Sequence, residues 1–413
     1  MKGNVLVGQS GGPTAVINSS LAGVIQAAKK YGAEKVYGMH YGIEGFLNED
    51  IIDLDDYITC HADISLLKRT PASFLGSCRY KLPPIEGNED VYDKMFDIME
   101  KYNIQYFLYI GGNDSMDTIK MLSDYAAKKD KPQKFMGVPK TIDNDLPLTD
   151  HTPGYGSAAK YIATSMKEII RDNASFGASK PTVCIVEIMG RHAGWLAAAS
   201  ALSKGIDCEG PDLIYLPEVP FDLDSFMTKV KHLAETKRSV VIAVSEGIRL
   251  ADGRFVCELG NMSDYVDAFG HKQLSGCASF LANKVTAATG LKSRPIEFST
   301  LQRCATHMAS RIDVDEASAV GFVACQAVME GHTGMMVTIQ VISREPYLVT
   351  YNKYDIHEIA NVERKVPRDW IINDGTYVSD KYLEYARPLI LGNILPYYAG
   401  GLPRHLTLHN KNK

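Results

Sequence analysis

The sequence predicts an α/β protein built from open, mostly parallel sheets covered by helices, and three observations carry that prediction. Short apolar, β-branched runs recur along the chain, each the length of a strand buried on both faces. Helical stretches separate them at almost every step. The loops that follow the apolar runs are rich in glycine and acids, which is the composition expected where such sheets bind ligands.

The strands are expected at Val5–Val7, Val36–Met39, Tyr106–Ile110, Phe135–Val138, Val183–Ile188, Leu213–Leu216, Val240–Val244 and Met335–Ile339. Helices are expected around Val16–Lys30, Val91–Lys101, Ser115–Lys128, Ser157–Arg171, Trp195–Ser203, Leu223–Thr236, Leu274–Thr289 and Asp315–Glu330. A domain boundary is expected in the loop-rich stretch Thr141–Gly156. From about Arg344 the periodicity fades and Pro346, Pro367, Pro388, Pro396 and Pro403 intervene, so this tail is expected to wrap the body irregularly. Asp313, Asp315 and Glu316 are expected to cap the helix that follows them.

Composition narrows the function classes. The 413 residues, 45% hydrophobic and 23% charged, are enough for two or three packed units and exclude wholesale disorder. A net charge of −5 without a basic stripe gives no basis for nucleic acid or an acidic membrane as a partner, and the 22 tyrosines do not change that. No apolar run reaches membrane-spanning length, and Met1–Val7 lacks a secretory core. The eight cysteines are scattered with no C-x-x-C pair, as expected of reduced thiols in a cytoplasmic protein rather than of a disulfide framework or zinc site. His405 and His409 stand four apart with no acidic ligand nearby and are read as exposed tail residues.

Five loops, read together as one sheet edge, carry the chemistry. Ser10-Gly11-Gly12 lets backbone N–H groups approach an anion just before a helix, yet is neither a Walker A loop nor a dinucleotide loop; a plain tight turn is an equal alternative. Gly111-Gly112-Asn113-Asp114-Ser115 combines close phosphate approach with oxygens that suit Mg²⁺, while Asp114 or Ser115 also suits a helix cap. Thr141-Ile142-Asp143-Asn144-Asp145 is expected to put both aspartates on one side of an extended segment beside Lys140, as a base and an orienting acid for phosphoryl transfer. Met189-Gly190-Arg191 and Ser245-Glu246-Gly247 complete the set.

In this order and spacing, Gly8–Asn18, Gly111–Ser115, Pro139–Asp145, Met189–Arg191, Ser245–Gly247 and Arg294–Arg303 resemble the 6-phosphofructokinase family. The resemblance implies transfer of a phosphoryl group to the 1-hydroxyl of fructose 6-phosphate, in a cleft between two α/β domains. Residues 1–150 with about 301–345 would bind the donor, 151–300 the sugar phosphate, and 346–413 would pack on the body. By that resemblance Asp143 is the catalytic base, Asp145 organises metal and transferring phosphate, and Thr141 is a contact on the substrate and phosphate side. Ile142, Met189, Gly190, Arg191 and Glu246 hold the sugar, with Arg191 also near the transferring group. Arg294, Thr300 and Arg303 stand at the sugar 6-phosphate. Gly11, Gly12, Arg79, Gly112, Asp114 and Lys140 face the donor, and Asn113 with Asp114 faces Mg²⁺. One family arginine crosses from a neighbouring subunit, so Arg294 implies a homodimer or homotetramer.

Two positions bear on the donor. ATP-using members carry glycine where this chain has Asp114 and Lys140, and both departures resemble the pyrophosphate-dependent branch. A carboxylate at 114 would oppose a nucleotide's α-phosphate; unit charges about 4 Å apart repel by about 4 kcal/mol at intermediate dielectric, roughly a thousandfold in binding. Lys140 would neutralise the leaving phosphate. Three further departures are Asn113 for a metal-associated aspartate, Thr300 for a phosphate-binding histidine and Thr182 for a subunit-crossing arginine, with Lys180 placed to compensate the last. Alternatives are ATP as donor, sedoheptulose 7-phosphate as acceptor, or a non-catalytic sugar-phosphate sensor, which would need no base.

Overall fold

The computed structural model describes residues 3–176, 180–260 and 274–408; His409 lies outside them. Eleven strands form two main sheets. The first uses β1 (Asn4–Gln9), β2 (Val36–Met39), β3 (Ile51–Asp53), β4 (Ile104–Gly111) and β5 (Lys134–Pro139). The second uses β6 (Thr182–Ile188), β7 (Leu213–Tyr215), β8 (Ser239–Ser245) and β9 (Lys292–Glu297). The chain then returns to the first sheet as β10 (Met335–Arg344) and β11 (Tyr347–Asp355). The orders are β11-β10-β5-β4-β1-β2-β3 and β7-β8-β6-β9. Pairing is parallel except at the outer pairs β2–β3 and β10–β11.

The apolar runs fold as the sequence predicts because they sit at the sheet centres: every residue of β1 and of β6 is buried. Three strands of the two main sheets are not marked by an apolar run in the sequence, and all three are sheet edges. β3 is only three residues long and partly exposed throughout, while β9, reading Lys-Ser-Arg-Pro-Ile-Glu, and β11 have much of their length exposed. The tail is therefore not irregular at its start, since β11 extends the first sheet. Trp195–Ser203 is an α-turn at Trp195–Ala198 continued as a 3₁₀ turn, not one helix.

The return to the first sheet runs through the helix Arg311–Met329, which crosses the helix Ile17–Tyr31 at a reciprocal pair of glycines. A Cβ on Gly23 would lie 2.0 Å from the Ser318 carbonyl, and one on Gly321 2.0 Å from that of Ser20. The backbones approach so closely that no side chain fits there. Asp313 does not cap its own helix. Its two oxygens accept from the N–H groups of Gly154 and Ser157, each at 2.8 Å, and so hold the start of the helix Tyr155–Ala174. Glu316 pairs instead with the buried His151 at 2.6 Å, and Arg311 holds Asp315. Of the described residues, no helix is long and apolar enough to cross a membrane.

Candidate active site

The carboxyl ends of β1, β4 and β5 in one sheet and of β6 and β8 in the other border a cleft of about 580 Å³. The five loops thus come from two sheets, three from one and two from the other, rather than from one edge.

The first wall begins with Gly11 and Gly12. Gly11 has φ +71°, and its carbonyl accepts from Ser77 Oγ at 2.7 Å. The helix begins only at Ile17, so the glycines form a bend ahead of it. A Cβ on Gly12 would come within 3.2 Å of Arg303 Nη1 and one on Gly11 within 3.5 Å of Lys140 Nζ, so the bare loop leaves room for two cations. Lys140 is 3% exposed, and its Nζ donates to the Gly12 carbonyl at 2.8 Å. Burial, with Arg303 and Arg79 nearby, brings its pKa down to about 8, against an opposing pull from Asp143.

After β4, Gly112 precedes the helix Asn113–Lys128, and no side chain caps it; Asp114 and Ser115 lie within its first turn. Gly111 must be glycine, because a Cβ there would meet Ser115 Oγ at 1.9 Å. Gly112, Asp114 and Arg79 line the cleft.

After β5 comes the acidic loop. Asp143 and Asp145 both line the cleft, but not through extended alternation: Asn144 between them has φ +57°. Its buried amide donates to Tyr385 Oη at 2.7 Å and accepts from the Thr152 N–H at 3.0 Å, which holds the turn. Thr141 Oγ1 accepts from the Asp143 N–H at 3.1 Å and donates to its carboxylate at 3.3 Å. Burial raises the Asp143 pKa despite Thr141, Lys140, Arg303 and Arg191. Burial and then the neighbouring Asp143 push Asp145 up to about 7.

The second wall comes from β6 and β8. Gly190, at φ +137°, donates its N–H to Glu246 Oε1 at 3.4 Å, and its carbonyl accepts from Ser245 Oγ at 2.5 Å. Burial pushes Glu246 up to about 8. Met189, Ile142, Arg191, Glu246 and Arg303 line the cleft. Such a site has a buried carboxyl pair, both members held above the ordinary carboxylate range, between a cationic, glycine-lined end and an end offering a guanidinium beside an acceptor carboxylate. It can take a proton from a hydroxyl and neutralise phosphate oxygens on either side.

The phosphofructokinase family model matches residues 4–328. The chain belongs to the phosphofructokinase family. It is 42% identical over 403 residues to the pyrophosphate–fructose 6-phosphate 1-phosphotransferase of Halomonas elongata, covering 97% of this chain and 95% of the relative. To the enzyme of the same name in Methylococcus capsulatus it is 41% identical, covering 98% and 96%. The crystal structure of a pyrophosphate-dependent phosphofructokinase from Nitrosospira multiformis superposes with a TM-score of 0.89 at 39% identity, covering 99% and 97%.

In this phosphofructokinase fold, three of the sequence-predicted residues lie outside the cleft lining. Gly190 shapes it from behind through Glu246. Thr300 is exposed and precedes the short helix Leu301–Cys304 that carries Arg303. Arg294 lies on β9 opposite Cys184, well before the carboxyl end of β6. It stacks 4.6 Å from the Phe176 ring centre and approaches Asp172 at 3.6 Å. Thr182 starts β6 at its opposite end from the cleft, where its N–H bonds the Arg238 carbonyl.

Asn113 lines the cleft with both side-chain atoms engaged: its Nδ2 donates to the Val362 carbonyl at 2.7 Å and its Oδ1 accepts from the Asn361 N–H at 2.6 Å, so the amide clasps the tail. The tail in turn supplies lining residues that the sequence reading missed, Asn361 and Glu363, and His192 joins them next to Arg191. His192 Nδ1 lies 3.6 Å from the Glu363 carboxylate. For His192 the adjacent motif was a usable signal; for Asn361 and Glu363 none exists locally.

Proposed function

We propose that the chain catalyses reversible phosphoryl transfer from pyrophosphate to the 1-hydroxyl of fructose 6-phosphate, giving fructose 1,6-bisphosphate and phosphate. The names of the relatives support it, and the observation that carries it is Lys140, buried and aimed at the glycine bend, with Asp114 on the same lip. Asp143 takes the proton of the 1-hydroxyl while that oxygen forms its bond to the transferred phosphorus and the bridging oxygen of pyrophosphate leaves with its electron pair. Thr141 fixes the Asp143 carboxylate. Arg191 and Arg79 neutralise the transferring group, and Lys140 the departing phosphate. Glu246 and the Met189–Arg191 turn hold the sugar hydroxyls, and Arg303 faces the 6-phosphate. In the reverse direction Asp143 returns the proton.

Mg²⁺ enters this scheme with the pyrophosphate, as substrate. Among the described residues no three His, Cys, Asp or Glu side chains form a cation cage, and Asn113 is engaged elsewhere. Asp114 and Asp145 suit an ion held mainly by phosphate oxygens and one or two carboxylates, where it would neutralise charge on the donor. Residues 1–150 with about 301–345 form the donor half in this proposal, 151–300 the sugar half, and 346–413 an extension that begins as β11. Arg294, remote from its own cleft, serves that of a second copy in a homo-oligomer. Eight free thiols suit a cytoplasmic enzyme.

A coupled assay with fructose 6-phosphate, Mg²⁺ and either donor tests the reading. Pyrophosphate should support turnover and ATP should not; equal rates with both would reject the donor assignment, and no turnover with either would favour the sensor. Asp114→Gly with Lys140→Gly should improve ATP use and depress pyrophosphate use.

A further inference from the structure

We infer that Asn361–Glu363 forms a stop on the donor side of the cleft that limits the length of the phosphate chain accepted, with Asn113 as its clasp. The inference rests on the pyrophosphate reading and extends it from two side chains to a segment of the tail.

The clasp is specific to an amide. The Asn113 side chain meets the backbone of Asn361 and Val362 as donor and acceptor at once, at 2.7 and 2.6 Å. An aspartate there keeps the acceptor but has no hydrogen for the Val362 carbonyl, so two oxygens would face each other. One turn along the same helix, Asn361 Nδ2 donates to Asp117 Oδ1 at 3.0 Å. The segment therefore lies across the first turn of the helix that starts at the donor lip. On its other side it is pinned by Arg364, whose N–H donates to the Asp145 carbonyl at 2.7 Å and whose carbonyl accepts from the Trp195 indole at 3.1 Å. The Arg364 guanidinium adds bonds to the Thr149 and Asp150 carbonyls. The Val366 N–H reaches Glu218 Oε1 at 3.0 Å. Between these anchors Asn361 and Glu363 face the cleft.

A diphosphate seated at Gly11, Gly12 and Lys140 ends at the lip. Any third phosphate, or the sugar and base of a nucleotide, has to pass over Gly112 and the first helical turn, which is the path the segment occupies. Glu363 adds a carboxylate to that path, so the stop opposes a longer anionic donor by charge as well as by volume.

Asn113→Asp and, separately, Asn361→Gly test this, with pyrophosphate, inorganic tripolyphosphate and MgATP as donors. Trypsin cleavage after Arg364 and Lys365 reports release of the segment independently of activity. Both variants should be cleaved faster than the native enzyme, and the tripolyphosphate-to-pyrophosphate ratio of kcat/KM should rise about tenfold. A ratio within about twofold of native in both variants overturns the stop, whether or not cleavage accelerates. The Asn361 change is at an exposed position, so it keeps the test open if Asn113→Asp fails to fold. Native enzyme that does not turn over pyrophosphate would instead reject the donor reading beneath it.

Discussion

The two walls of the cleft differ in how complete they are. The donor wall is finished within one chain: glycine bend, Lys140, acidic loop and tail segment all converge, with residues up to 249 positions apart in direct contact. The opposite wall is sparser. Arg303, which also reaches the Gly12 bend, lines the cleft, but Thr300 and Arg294 lie outside the lining, Arg294 stacking on the exposed Phe176 ring and approaching Asp172 at 3.6 Å. On the proposed reading, donor choice would be a property of the folded chain, whereas sugar-phosphate capture would be shared between copies.

Asp143→Ala gives the largest expected effect, because on the proposed mechanism it removes the base that both walls serve. In the coupled assay kcat should fall by roughly 10²–10⁴ while fructose 6-phosphate still binds, as read by titration calorimetry. Loss of binding with intact turnover per bound site would show that Asp143 belongs to the acceptor wall alone.

What was legible beforehand follows from how local each feature is. The loops after β1, β4, β5, β6 and β8 stood out because phosphate approach, proton abstraction and cation placement each require particular residues within a few positions. The parallel strands stood out because a strand buried on both faces must be apolar throughout. The edge strands β9 and β11 carry no such demand. Nor does the Asn113 clasp: its partners lie in a stretch without periodicity, so only the odd amide in an acidic motif marked the position. The left-handed turn at Asn144 was hidden for a related reason, since Tyr385 and Thr152, which stabilise it, are distant or unremarkable in sequence.

Arg294→Ala tests the sharing directly and should have an intermediate effect. KM for fructose 6-phosphate should rise by about tenfold or more with kcat little changed, as expected for a lost guanidinium–phosphate contact. Mixing this variant with Asp143→Ala should restore activity, because a hybrid contains one site with both residues intact. Absence of rescue together with unchanged sugar-phosphate affinity would make Arg294 a surface residue and the acceptor wall self-contained.

The smallest effect concerns stability, and it isolates the cost of the donor wall in the absence of ligand. Asp145 is buried beside Asp143 and held up to about 7. A carboxyl whose pKa is raised on folding is ionised at a penalty, so its cost is fully present above about pH 7 and vanishes below about pH 4, where it is protonated in folded and unfolded chains alike. Asp145→Asn should therefore raise the thermal midpoint by a few degrees at pH 8, with the gain shrinking to nothing as pH falls toward 4. Glu246 on the other wall is likewise held up, to about 8, by its own burial, with Asp143 a lesser contributor. Glu246→Gln should show the same sign, with its pH window extending about a unit higher. Calorimetric scans at several pH values separate the two. If Asp145→Asn were stabilising equally at pH 4 and pH 8, the gain would come from packing, and the acidic loop would not be storing electrostatic strain for the reaction.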